Sequence, residues 1–196
     1  MKDGKSQFLV DSHTVFPDQN EAVRAIFDVS AQQHLPVPDA VGHRLALGGL
    51  EHVAPEIVTS ELMKKLESLI PLAPIHLPFE IKGIEAVTAH YPELKQVACF
   101  DTSFHCWMPK IAQMLPVPRS LSEEGVQRYG FHGLSYVYIV SFLGEDVDGR
   151  VIIAHLGNSA SMVALKNSHP QDTTMGFSPI GGLMMGTRRG DLDHGI

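Results

Sequence analysis

A chain of 196 residues, 44% hydrophobic and 19% charged, has the balance of an ordinary globular domain that can bury a sizeable core. Fifteen basic against twenty-two acidic residues leave a formal charge of −7 with no basic run or basic-aromatic stripe, which argues against nucleic acid and anionic membranes as partners. Apolar runs such as VIIA at 151–154 are far too short to span a bilayer, and MKDGKSQFLVDSH lacks the apolar centre of a secretory leader, so a cytoplasmic location is expected.

In chain order, residues 18–34 place Val23, Ile26 and Phe27 at helical spacing behind Asp18 and Asn20 as caps. Pro36 and Pro38 break the chain before DAVGHRLALGG, which reads as a buried strand running into a Gly-Gly turn. Residues 55–70 read as a helix opening on Pro55, with Ile57, Leu62, Leu66 and Leu69 facing inward, and KGIEAVTAHYP as a shorter helix. QVACFD reads as a buried strand that delivers Asp101 at its C-terminal end, the edge where open α/β sheets bind ligands. SLSEEGVQRYG is helical or irregular, FHGLSYVYIVSFLG a glycine-led helix, and GRVIIAHLGN a buried strand entering a loop. This alternation argues for an α/β fold with a mixed sheet flanked by helices, in a single domain without repeats or linkers. Cys99 and Cys106 fit neither a redox pair nor a zinc spacing and read as reduced core residues. The eleven histidines lack any HxxxH or HExxH pattern, so no dedicated metal site is expected.

The chemistry gathers at five places. Arg44, in GHRLALGG, offers a guanidinium fork suited to a carboxylate or phosphate, although taken alone a surface or structural salt bridge is the favoured reading. Asp101 stands among small hydroxyls at a strand-to-loop switch, where it can orient a ligand or cap the following helix. His132, in YGFHGLSY, can donate to a phosphoryl oxygen or sit hydrogen-bonded in the core. HLGNSAS at 155–161 has the composition of an anion-binding nest or of a plain turn. GTRRGD at 186–191 carries adjacent arginines whose side chains point to opposite sides of an extended loop, so only one faces any given cleft.

Six strings, GHRLALGG, LAPIH, FDTSFHCWMP, YGFHGLS, AHLGNSAS and TMGFSPIGGLMMGTRRGDLD, occur in the order in which the acetate and propionate kinase family carries them, so the chain resembles that family from about Asp18 to its last residues. The resemblance implies a partial ribonuclease H-like domain of the actin-like ATPase kind. It also implies ATP- and Mg²⁺-dependent, reversible phosphorylation of acetate or propionate to an acyl phosphate. Arg44 and Arg188 would hold the substrate carboxylate and the migrating phosphoryl group, and Asp101 would organise that region. His132 and His155 would stabilise phosphoryl oxygens, while Gly157, Asn158 and Ser159 would border the nucleotide phosphates. Ala46, Ile75, Phe131 and Pro179 would line the pocket for the alkyl tail. Ala46 stands where the family commonly has a larger valine, which enlarges the pocket toward propionate.

The sequence departs from the family where Ser159 replaces a glycine, Leu134 and Tyr136 replace Thr and His, and Arg189 replaces a serine. Nothing matches the family's N-terminal phosphate loop, and the second domain would follow Ile196. The expectation is therefore one incomplete domain, 1–196, whose segment from about 150 leads toward that second domain. It would act as part of a larger or split enzyme, dimerise, or pair with a complementary domain. A non-catalytic remnant that binds a small carboxylate or phosphate, or that joins a full-length relative, is the other reading.

Overall fold

The computed structural model describes residues 13–193 and 195; the reading of the N-terminal segment as lacking a leader falls largely outside these residues. Helix α1 (Gln19–Gln32) is capped by Asp18, whose carboxylate accepts the Glu21 N–H at 3.0 Å. Phe27 packs it against His90 and Tyr91, with ring centroids 5.3 and 4.7 Å apart. Strand β1 (Ala40–Leu45) comes next, then a two-residue strand β2 (Glu56–Ile57).

Helix α2 (Ser60–Leu69) starts five residues later than Pro55 suggests, because the Thr59 hydroxyl accepts the Leu62 N–H at 3.1 Å and fixes the cap there. Leu62 and Leu66 are buried as expected, whereas Ile57 lies in β2 and is 59% exposed. Helix α3 (Leu77–His90) begins a turn before KGIEAVTAHYP, on a proline in its first turn. Strand β3 (Lys95–Phe100) runs parallel to β1 and antiparallel to β2, giving a mixed sheet of order β1-β3-β2. Two short helices, α4 (Lys110–Gln113) and α5 (Arg119–Glu123), lead to α6 (Gly133–Leu143).

A second, antiparallel sheet follows: β4 (Arg150–Leu156), β5 (Ala160–Lys166) and β6 (His169–Thr173), in that order. The α/β architecture is thus built on two small sheets. Strand β4 is not buried on both faces; it lies at the edge with Ile153 inward and Ile152 and Leu156 each 72% exposed. Leu45, Leu47, Leu66, Leu77, Ile84, Phe100 and Met175 form the main core beneath the mixed sheet, and Tyr136, Ile153, Val163 and Leu165 a second one between α6 and β4–β5. Both cysteines are free and half-buried rather than core, and burial pushes the Cys106 thiol up. Among the described residues no helix is long and apolar enough to cross a membrane.

Candidate active site

The parallel register pairs Arg44 with Cys99 and Leu45 with Phe100, so β1 and β3 end side by side and set Arg44 and Asp101 at one sheet edge. Asp101 is 3% exposed, and its Oδ2 accepts from Arg44 Nε at 2.9 Å and from Arg44 Nη2 at 2.5 Å. It caps no helix. Arg44 Nη1 also lies 3.5 Å from Glu80 Oε1, and the second oxygen of Glu80 accepts the Ala46 N–H at 3.0 Å. Burial pushes the Glu80 carboxyl up, against the pull of the Ala46 N–H and the Arg44 charge. Held between two carboxylates, Arg44 has one orientation, while half of its side chain stays open to solvent.

The wall opposite is a strained turn. Gly130, Phe131 and His132 have φ values of 90°, 58° and 53°, a run that two non-glycine residues adopt only when neighbours enforce it. His105 Nε2 donates to the Phe131 carbonyl at 2.7 Å, and Gly133 N–H donates to the Asp101 carbonyl at 2.8 Å, so the turn is pinned on both sides. A Cβ on Gly133 would lie 2.3 Å from that same carbonyl oxygen, which is why α6 opens on glycine. His105 is 2% exposed, and burial lowers its pKa to about 4.

The third wall comes from residues 178–191. Gly182 N–H donates to Asp191 Oδ1 and Asp191 N–H to the Gly182 carbonyl, each at 2.9 Å, and this clamp closes the loop. Inside it Arg188 Nη1 donates to the Pro179 carbonyl at 2.6 Å. Among the described residues Arg188 has no carboxylate partner, so its charge is offset only by a neutral dipole. Arg189 faces a different hollow with Ser178 and Asp191, as expected for neighbouring residues in an extended loop.

These walls enclose a cavity of about 70 Å³, lined by Arg44, Ala46, His76, Phe131, His132, Ser159, Pro179 and Arg188. That is room for a few waters or a comparably small anion. His132 Nδ1 is bonded to Ser161 Oγ at 2.7 Å, and its ring stacks on His155 at 4.1 Å. Burial first, then the charges of His155, Arg44 and Arg188, lower the His132 pKa to about 4, so the ring is neutral at pH 7. His76 is lowered by burial and by the same two arginines.

Of the residues singled out from the sequence, Arg44, Ala46, Phe131, His132, Ser159, Pro179 and Arg188 meet at this cavity, with Asp101 directly behind Arg44. Ile75 does not; it is 66% exposed while its neighbour His76 turns inward. His155 supports His132 from behind and bonds Ser135 Oγ at 3.0 Å. Gly157 and Asn158 are exposed and, with Ser159, form the turn of the β4–β5 hairpin, closed by Gly157 N–H to the Ser159 carbonyl at 3.0 Å. Ser159 is not among the residues with positive φ, so its Cβ imposes no strain there. His76 and Glu80 carried no signal beyond the LAPIH string, since only the packing of α3 against β1 brings them to Arg44.

Fold and site together describe an α/β protein with a small, doubly cationic cavity that suits an anionic ligand. The Acetokinase family model matches residues 3–196, and the chain belongs to that family. It is 46% identical over 192 residues to an acetate kinase of Methylocella silvestris, covering 94% of this chain and 47% of that protein. An acetate kinase of Rhodopseudomonas palustris is 49% identical over 162 residues, 80% of this chain and 41% of that protein. The fold superposes on the crystal structure of Porphyromonas gingivalis acetate kinase with a TM-score of 0.79 at 38% identity, over 93% of this chain and 49% of the other. For a propionate kinase from Francisella tularensis the TM-score is 0.84 at 34% identity, over 90% and 47%. The chain spans about half the length of the relatives it matches.

Proposed function

We propose that this chain supplies the acyl-side half of a site that phosphorylates a short-chain carboxylate, acetate or propionate, at the expense of ATP to give an acyl phosphate. The observation that carries the reading is the convergence of Arg44, Arg188 and neutral His132 on one small cavity. A phosphoryl group in transfer spreads negative charge over its equatorial oxygens, and stabilisation comes mainly from positioned donors. Arg188, with no carboxylate partner among the described residues, meets that charge. Arg44, oriented by Asp101 and Glu80, aligns the acceptor carboxylate for in-line attack. Ala46, Phe131 and Pro179 form the apolar side for the alkyl tail. The space that alanine leaves favours acceptance of propionate, with discrimination of roughly 1–3 kcal/mol per methylene.

Mg²⁺ would enter with the nucleotide and neutralise phosphate charge. Among the described residues no three His, Cys, Asp or Glu side chains cluster to hold a metal ion by themselves. Asp101 Oδ1, which takes neither Arg44 bond, suits a contact with a hydrated cation. The β4–β5 turn, Gly157 to Ser159, would border the nucleotide phosphates.

The test is formation of acyl phosphate from acetate and from propionate with MgATP. Turnover in the wild-type chain and in Lys65→Ala, falling about 10²–10³-fold in Arg188→Ala, supports the reading. The assay is run on this chain alone and then together with any polypeptide encoded next to it; turnover indifferent to Arg188, or neither turnover nor thermal stabilisation by MgATP in either arrangement, contradicts it.

A further inference from the structure

The two nitrogens of His132 face different surroundings. Nδ1 lies 2.7 Å from Ser161 Oγ, and that oxygen is in turn hydrogen-bonded to the Tyr136 hydroxyl. Ser161 and Tyr136 are both 0% exposed, so neither hydroxyl reaches bulk water. A hydroxyl has one proton to give. Among the described residues the Tyr136 hydroxyl has no acceptor other than Ser161 Oγ. Were Ser161 to donate to it, the phenolic proton would be left as a buried, unsatisfied donor. Tyr136 therefore donates to Ser161.

The Ser161 proton then has one destination, His132 Nδ1. A nitrogen that accepts in a neutral imidazole leaves the proton on the other. Nε2 has no partner among the described residues and is not sealed from solvent, so it opens on the cavity that the ring lines beside Arg44 and Arg188.

We propose that Tyr136 and Ser161 are positioning residues that lock His132 as its Nε2–H tautomer, so that a neutral imidazole presents a hydrogen-bond donor to an oxyanion in the cavity. The opposite tautomer would aim a lone pair at the anion that the arginines attract. Three elements impose the arrangement. His132 immediately precedes α6, Tyr136 lies one turn into it with its N–H donating to the His132 carbonyl at 3.2 Å, and Ser161 enters on β5. His155, paired with Ser161 across the β4–β5 ladder, stacks on the imidazole at 16° and fixes its plane. The identity of the acceptor rests on the kinase reading; the proton assignment does not.

Long-range ¹⁵N–¹H NMR of the histidine-labelled chain tests it, with inorganic phosphate as the anion probe. The wild-type His132 ring is expected as the Nε2–H tautomer. Tyr136→Phe keeps the packing but frees the Ser161 hydroxyl, and Ser161→Ala removes the Nδ1 partner. Each is expected to populate the Nδ1–H form and to weaken phosphate binding about fivefold, the worth of one hydrogen bond. A wild-type Nδ1–H tautomer, or unchanged tautomer populations in both variants, overturns the proposal. The expected tautomer in a chain that binds no phosphate upholds the proton assignment and counts against the kinase reading alone.

Discussion

The cavity wall at residues 130–133 (GFHG) and the hairpin turn at 157–159 (GNS) are both glycine-containing turns close to a histidine, yet the chain holds them very differently. Three consecutive left-handed residues of the first are pinned by the His105 side chain on one flank and the Asp101 carbonyl on the other, all of it buried. The second is a surface turn closed by a single backbone hydrogen bond, with Gly157 and Asn158 exposed. Strain is affordable where tertiary contacts over-determine the backbone, and a turn at the edge of a sheet has no such support. The molecule invests its rigidity around Arg44, Arg188 and His132, while the hairpin turn depends on local geometry.

That contrast breaks most readily at Gly133. An alanine there drives its Cβ into the Asp101 carbonyl oxygen at 2.3 Å and against Phe104 at 2.8 Å, and helix α6 or the turn has to move. Destabilisation of about 3 kcal/mol is expected, read as a lower midpoint in urea with an unchanged slope. A Gly133→Ala chain as stable as wild type would mean that the wall is soft.

Acid sharpens the comparison. His105 and His132 are held neutral in the folded chain, with pKa values near 4 against an ordinary 6.5. Between those values the unfolded chain binds more protons than the folded one. Their contribution is therefore complete above about pH 6.5 and is lost as the pH falls toward 4. The cost is on the order of 2 kcal/mol for enclosed His105 and less for His132, which borders the cavity. Thermal scans from pH 7 to 4.5 should show a falling Tm, and His105→Gln should flatten that fall. A Tm that does not change across this range would contradict burial of neutral imidazoles.

Asn158→Ala is the smallest change, within about 0.5 kcal/mol in stability because the side chain is exposed. If the turn borders the nucleotide phosphates, the same variant weakens ATP binding severalfold while leaving inorganic phosphate affinity unchanged.

How much of this was legible beforehand follows the same divide. Asp101 is legible because an apolar run ending in a charge marks a strand end, and Arg44 because it stands just before the Gly-Gly turn that closes its strand; the parallel pairing sets the two side by side. The α/β class and the acetokinase relationship were readable from motif order. Strand β2 was not, since Pro55 suits a helix start as well as an extended chain, and the decisive cap, Thr59, shows only through its bond to Leu62. Strand β6 hides behind polar residues and Pro170, a composition tolerated at a sheet edge. The exposed face of β4 is hidden in the sequence because an apolar run does not say which side is covered. Glu80 and His76 leave no mark in the sequence because their meeting with Arg44 is wholly tertiary, and the pocket position expected of Ile75 belongs to its neighbour His76.

In the proposed site three groups face one anion, and phosphate titrated into labelled protein reads all three at once. Resonances of Arg44 Nε, Arg188 Nε and His132 Nε2 should move together along a single saturation curve. Movement confined to one of them, or independent curves with different midpoints, would show that they do not share a cavity and would contradict the proposed site.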